Sequence, residues 1–315
     1  MATTSTTTPT TLTGTGRQTG RRPSTGGRFR RYLPLYLSIS PFYIIFAIFG
    51  LFPIGYSLYL SFHSWDGIGP MKFVGLAEFR YLVSDTQFWL SVKNTVEIWI
   101  ISTIPMLFLA LVIAVILNSS IRFKTAYRIA FFIPNVSSLV AMAIVFGSIF
   151  ANNFGLLNGL LQALGLSQVQ WLNDPWGIKI AIAVMVIWQW TGYNAIIYLA
   201  GLQAIPTDLF EAAKVDGANV VQTFFRVTVP MLRPIILFTV ITSTIGGMQI
   251  FTQSQVLVGN TGGPGGAGMT MVLYLYQQAF TKNDFGYGAA IGWGLFIILL
   301  LFSIINWRVV QRTGK

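Results

Sequence analysis

Six stretches almost empty of charge constrain this chain more than any other feature. They lie at about 33–61, 96–117, 129–150, 178–200, 235–257 and 287–307, each near the ~20 residues a helix needs to cross the hydrocarbon of a bilayer. Their ionisable residues are Glu97 and Lys179, both at a border; a charge nearer the centre costs roughly 2.5–3.5 kcal/mol on insertion scales. Only 9% of the 315 residues are charged, where a soluble domain would carry roughly 25%. The expected fold class is all-α, a polytopic membrane protein with six transmembrane helices. Pro34, Pro41 and Pro53 in the first span and Pro105 in the second predict kinks or breaks, tolerable where neighbours satisfy the freed backbone groups.

The net charge of +11 would suit a nucleic-acid partner, but its placement points to a lipid membrane and to no nucleic acid. With the N-terminus inside, fifteen of the twenty Lys and Arg face the cytoplasm: six before residue 32, then Arg122, Lys124, Arg128, Lys214, Arg226, Arg233, Arg308, Arg312 and Lys315. Lys72, Arg80, Lys93, Lys179 and Lys282 fall outside. This asymmetry satisfies the positive-inside rule with both termini cytoplasmic. Residues 1–31, rich in Thr, Gly and Ser and carrying Arg17, Arg21, Arg22, Arg28, Arg30 and Arg31, read as a disordered basic tail that touches anionic lipid. They lack the apolar core of a secretory signal. Residues 32–307 form the six-helix domain and 308–315 a second cytoplasmic tail. The absence of cysteine excludes disulfides, thiolate metal sites and a cysteine nucleophile.

The charged exception is the stretch 206–234, PTDLFEAAKVDGANVVQTFFRVTVPMLRP. Thr207 or Asp208 can cap a short helix, with Glu211 at capping-box spacing from Asp208. Gly217 suits the left-handed position that ends it. A second short helix is expected from about Asn219 towards Val227, until Pro230 and Pro234 forbid simple continuation. Small side chains at Ala212, Ala213 and Gly217 leave room for another surface to approach, which makes this a docking element. Glu211-Ala212-Ala213, Asp216-Gly217-Ala218, Phe224, Arg226, Val229-Pro230 and Leu232-x-Pro234 resemble the cytoplasmic coupling loop (the EAA motif) of binding-protein-dependent ABC importer permeases. Val229 stands where the family pattern has Leu.

The outer segments carry a second part of the resemblance. Leu76, Phe79, Leu82 and Val83 are at helical spacing and suggest a short amphipathic helix on the membrane surface or over the mouth of a path. Phe73-Val74-Gly75-Leu76, Phe88-Trp89 and Asn94-Thr95 are similar to sugar-type permeases. So, more specifically, are Thr261-Gly262-Gly263-Pro264, Thr270, Leu273-Tyr274-x-Tyr276, Ala279-Phe280 and Phe285-Gly286-Tyr287. The resemblance runs from about residue 40 to 307 and is to the maltose-type, carbohydrate-uptake branch, on the side of the larger maltose permease. This chain has only the six-helix core of that larger relative.

The resemblance implies a type I importer fold and half of a translocation pathway in a bacterial inner membrane. It also implies a second permease subunit, two ATP-binding subunits and an extracytoplasmic solute-binding protein. Coupling to the ATPase falls on Glu211, Ala212, Ala213, Asp216, Gly217, Arg226 and Pro230, within a loop at 206–230. No GxxxxGK[ST] string exists and the glycines at 262–268 have no Lys, so they read as loop flexibility; ATP belongs to the partners, and the chain needs no cofactor.

Inside the spans, Gln189, Trp190, Tyr193 and Asn194 mark the fourth, with 190, 193 and 194 on one helical face. Thr242, Gly246, Gln249 and Gln253 share a face of the fifth. Such groups serve either as glue between helices or as the polar lining of a path. In maltose-type permeases the corresponding spans line the sugar site, which favours a path built on Trp190, Tyr193, Asn194, Gln249 and Gln253. Amides, hydroxyls and aromatic faces without a cation suit a neutral sugar, with an oligosaccharide expected and a sugar phosphate such as glycerol-3-phosphate as the alternative. An ion-coupled secondary transporter would place charge inside the membrane, and spans so empty of charge argue against it. A membrane enzyme is disfavoured by a single histidine, His63, which reads as an interfacial polar residue, so neither a catalytic nor a metal site is expected.

Overall fold

A computed structural model describes residues 25–119 and 122–312. Arg17, Arg21, Arg22 and Lys315 of the expected tails lie outside the described residues. The chain divides into two units, Met1–Gly55 and Tyr56–Lys315. In the first, helix α1 (Thr25–Phe46) begins inside the stretch read as tail and passes Pro34 and Pro41 without a break. It continues through a π turn at Ala47–Leu51 into α2 (Phe52–Leu60).

The second unit is built around two long helices that run in the same direction, α4 (Thr86–Asn118) and α8 (Pro175–Gln203), packed along most of their length. α4 runs through Pro105 unbroken. Asp85 starts it by accepting the Gln87 N–H at 2.9 Å, and Asp174 starts α8 by accepting the Gly177 N–H at 2.7 Å, each satisfying an orphan first-turn donor. Ala110, Ala114 and Leu117 of α4 are buried against Ala195, Tyr198, Leu199 and Leu202 of α8 and Leu232 of the fifth span. Small side chains on α4 let the helices approach. Tyr198 shares its hydroxyl proton with Thr239 Oγ1 at 2.7 Å, so the buried phenol is satisfied.

The third apolar stretch departs from expectation. Instead of one span it forms α5 (Lys124–Val136) and α6 (Leu139–Ile149), bent by 94°. Ser137 and Ser138 take extended backbone, and the Ser138 hydroxyl receives the Ala141 N–H at 3.5 Å, so a new helix starts there. Among the described residues, five helices are thus long and apolar enough to cross a membrane, and six if the bent pair counts as one. α5 meets α8 backbone to backbone: a Cβ on Gly192 would run into the Phe131 carbonyl.

The prolines of the fifth span also act differently from the reading above. α10 (Val220–Thr223) passes through a π turn at Phe224–Thr228 into α11 (Val229–Gly247), so Pro230 and Pro234 lie within a continuous helical run. The π turn here and the one before Pro53 both end two residues ahead of a proline. A wider i→i+5 turn relieves the clash of the ring with the preceding carbonyls, so the helix bends without ending. It does end at Gly247, and after residues 248–251 a short α12 (Thr252–Val258) completes the span.

At one end of this unit, β1 (His63–Ser64) and β2 (Lys72–Phe73) pair antiparallel ahead of α3 (Ala77–Ser84). Leu82 of α3 is buried and Phe79 packs beside it, whereas Leu76 and Val83 face out, so half of the expected amphipathic face is used. His63 is buried, its Nδ1 2.8 Å from the Tyr59 carbonyl and its ring between Tyr59 and Phe73. At the same end lie α7 (Leu156–Ala163) and α13 (Met271–Tyr276), the latter running into α14 (Phe285–Arg312) through a π turn at Gln277–Thr281.

Candidate functional site

The break in the fifth span makes the site. A cavity of about 410 Å³ opens between α4, α8 and the segment 242–253, with Leu139 of α6 at its edge. Trp190, Tyr193, Asn194, Gln249 and Gln253 all line it. The five residues singled out in the sequence therefore come together, but not as faces of two straight helices. Gly246 and Gly247 are poor helix formers, and where residues 248–251 leave the helix another segment takes up the Ile250 carbonyl. Thr270 donates its hydroxyl to the Ile250 carbonyl at 2.6 Å, and Ser254 donates to the Gly268 carbonyl.

The lining is uncharged, with amide, hydroxyl and indole groups set among apolar side chains. Trp190 and Tyr193 meet edge to face at 5.6 Å, and Asn194 donates Nδ2 to the Trp190 carbonyl at 3.0 Å. Gln253 donates Nε2 to Gln189 Oε1 at 3.2 Å. Sequence reasoning had also missed Thr103, Met106 and Val186 as lining; on apolar helices nothing distinguishes them from core. Among the described residues no cluster of His, Asp or Glu could hold a metal ion.

Above the cavity the glycine-rich segment 259–270 is not the flexible loop expected. Gly262, Gly263, Gly265 and Gly266 have φ between 62° and 73°, a chain of tight turns. Asn94 donates Nδ2 to the Gly266 and Met269 carbonyls at 2.8 and 3.2 Å, and Thr95 Oγ1 accepts the Met271 N–H at 2.9 Å. Ala267 is thereby buried among Ile98, Ile178, Ile182, Val186 and Ile250. Val186 and Ile250 also line the cavity, so this apolar plug closes that side of it. Glu97 and Lys179, apart in the sequence, form an ion pair between α4 and α8. Lys179 also lies 5.2 Å from the Trp176 ring centroid. Asp85 accepts from the Tyr274 and Tyr287 hydroxyls and ties α4 to α13 and α14. Burial would raise its pKa, but the two phenols and the Gln87 amide outweigh this and hold it below the usual carboxylate range.

At the opposite end, α9 (Thr207–Val215) carries Glu211, Ala212 and Ala213. No side chain caps it: the N-cap is Pro206, and neither Thr207 nor Asp208 takes that role. Proline has no side-chain acceptor but can preset the backbone at a helix start. Gly217 sits at φ 73° as expected, and its missing Cβ would meet open space, so the constraint there is backbone conformation and not room. Asn219 then begins α10 with a full capping box to Gln222, 2.9 Å in both directions. Glu211, Asp216, Gly217, Arg226 and Pro230 are exposed, Ala213 is half-buried, and Ala212 is exposed. Val215, Val220, Val221 and Phe225 add a bare apolar surface beside them. Glu211 and Lys214 border a groove of about 450 Å³ against the ends of α4 and α8.

Residues 89–315 match the family model described as the binding-protein-dependent transport system inner membrane component. The chain belongs to this family. It is therefore a multi-pass membrane subunit of a transport system and not an enzyme. Among its relatives, the lactose transport system permease LacF of Rhizobium radiobacter is 37% identical over 88% of this chain and 94% of its own length. The arabinooligosaccharides transport system permease AraP of Bacillus subtilis is 37% identical over 87% of both chains. The trehalose/maltose transport system permease MalF of Thermococcus litoralis is 33% identical over 87% of this chain and 92% of its own. A solved bacterial ABC transporter that imports alginate shares the fold, with a TM-score of 0.78 and 22% identity over 92% of this chain and 99% of that one.

Proposed function

We propose that this permease forms half of the pathway of an ABC importer for a neutral sugar of oligosaccharide size, and couples to its ATPase through residues 206–230. The observation that carries the substrate class is the charge-free cavity, in which amide, hydroxyl and indole groups converge where the fifth span breaks. Sugar hydroxyls pair with amides, and a sugar C–H face lies against a ring; an anion would want a cation at depth. Relatives named for lactose, arabinooligosaccharides and trehalose/maltose support the same class. The exposed residues of the 206–230 segment, apolar and charged side by side, suit an ATPase groove, and the apolar plug suits a gate that faces a solute-binding protein. In this reading a second permease supplies the other wall, and ATP-driven closure moves α9 and α10 as a lever, shifting the population between inward-open and outward-open states.

The test is reconstitution. The chain purified from its native membrane should bring a second permease and an ATPase with it. In liposomes with its binding protein the complex should take up radiolabelled lactose, maltose or trehalose only with ATP. Uptake by this chain alone on an ion gradient would make it a secondary transporter, and preference for glycerol-3-phosphate over each disaccharide would overturn the substrate class.

A further inference from the structure

Gln189 is 4% exposed and does not line the cavity, yet it is the hydrogen-bond partner of Gln253, which does. We propose that Gln189 is a positioning residue: it turns the Gln253 amide so that this part of the wall offers its carbonyl lone pairs and takes a polyol by a hydroxyl hydrogen. This rests on the cavity being the sugar path.

Gln253 donates one N–H to Gln189 Oε1. Among the described residues its carbonyl oxygen has no partner, and it is not sealed off: the buried polar atoms without partners there are Trp99 Nε1 and Arg128 Nε. Asn194 repeats the pattern, with one N–H given to the Trp190 carbonyl. The Thr242 hydroxyl donates to the Phe238 carbonyl at 2.9 Å, which leaves its oxygen as an acceptor. Each amide so engaged keeps one N–H against two carbonyl lone pairs, and the bound hydroxyl keeps no donor at all. A sugar hydroxyl can donate to every one of these positions. A phosphate or carboxylate brings no hydrogen and meets the same lone pairs, with no cation among the lining residues to offset them. Without Gln189, the Gln253 side chain is free to rotate and present N–H or oxygen alike.

The experiment is a double-mutant cycle on the full complex in proteoliposomes. The probe is whichever of radiolabelled lactose, maltose and trehalose it takes up, and the readout is sugar moved per ATP hydrolysed. Gln189→Met keeps the volume and removes the acceptor; it should lower that ratio about tenfold, as one strained or lost polar contact does, and Gln253→Met should match it. The double variant should be no worse than either single one, and Gln189→Glu, which still accepts from Gln253, should recover most of the ratio. Normal transport by Gln189→Met, or losses that multiply to about a hundredfold in the double variant, overturns the positioning role alone. Normal transport by Gln253→Met overturns the path reading and this proposal with it. If Gln189→Met lowers thermal stability in step with transport and Gln189→Glu fails to restore either, the pair is packing and the proposal is wrong.

Discussion

A single buried carboxylate shows how much one residue holds here. Asp85 caps α4 with one oxygen and accepts two phenols with the other, from elements almost 190 and 202 positions away. Because its folded pKa is depressed, it stabilises the fold above its unfolded value of ~3.9, and that contribution is lost as pH falls through the folded value. Asp85→Asn should lower the stability of the detergent-solubilised protein at pH 7 by about 1.5–3 kcal/mol, the range for hydrogen bonds to a charged group. The gap between variant and parent should begin to narrow below about pH 4 and close as pH falls through the folded value. Thermal unfolding followed across pH measures this; a gap that is the same at pH 3 and pH 7 would mean the charge contributes nothing. The sequence marked neither Asp85 nor its tyrosines as partners, since a contact across such a separation leaves no local pattern. Glu97 and Lys179 were visible as border charges, but only packing of α4 on α8 makes them a pair.

Among the elements, the segment 206–230 was the most legible. Its charges, its capping residue Asn219 and the left-handed Gly217 are local features, and local chemistry decides them. Gly217→Asp forces a side chain into φ 73°, which costs an L-residue about 1–2 kcal/mol. Since a Cβ there meets open space, the membrane domain should insert and fold normally. Stimulation of the ATPase by the reconstituted variant should be lost, and a turnover equal to the parent's would remove this segment from the coupling role. Where neighbouring elements decide, the sequence reading failed. It took the glycines at 262–268 for a loose loop, but Asn94, Thr95, Ser254 and Thr270 bind that backbone from other elements. It took Pro230 and Pro234 for stops, but a π turn carries the helix through them.

For the whole molecule, the orientation drawn from Lys and Arg placement is directly testable because the chain has no cysteine of its own. Val215 is 88% exposed and Ile68 is 96% exposed, at opposite ends of the second unit. In intact cells with a permeable outer envelope, a membrane-impermeant maleimide should label Ile68→Cys and leave Val215→Cys unlabelled until the membrane is opened; the reverse pattern would invert the topology. What the sequence by itself determined is the class: apolar stretches of helix-spanning length make an all-α membrane protein, because a helix satisfies its own backbone in lipid. It also brought out the side chains of the cavity, since polar residues in spans are few enough to notice. Only the tertiary structure decided that the third stretch bends by 94° and that the fifth breaks at residues 248–251. The break in the fifth depends on a backbone carbonyl, that of Ile250, finding its partner in a distant segment, whereas the bend in the third is capped by its own Ser138. A helix in an apolar medium gives up its own hydrogen bonds only where other groups replace them, and for the fifth span that replacement is a property of the folded chain and of no stretch within it.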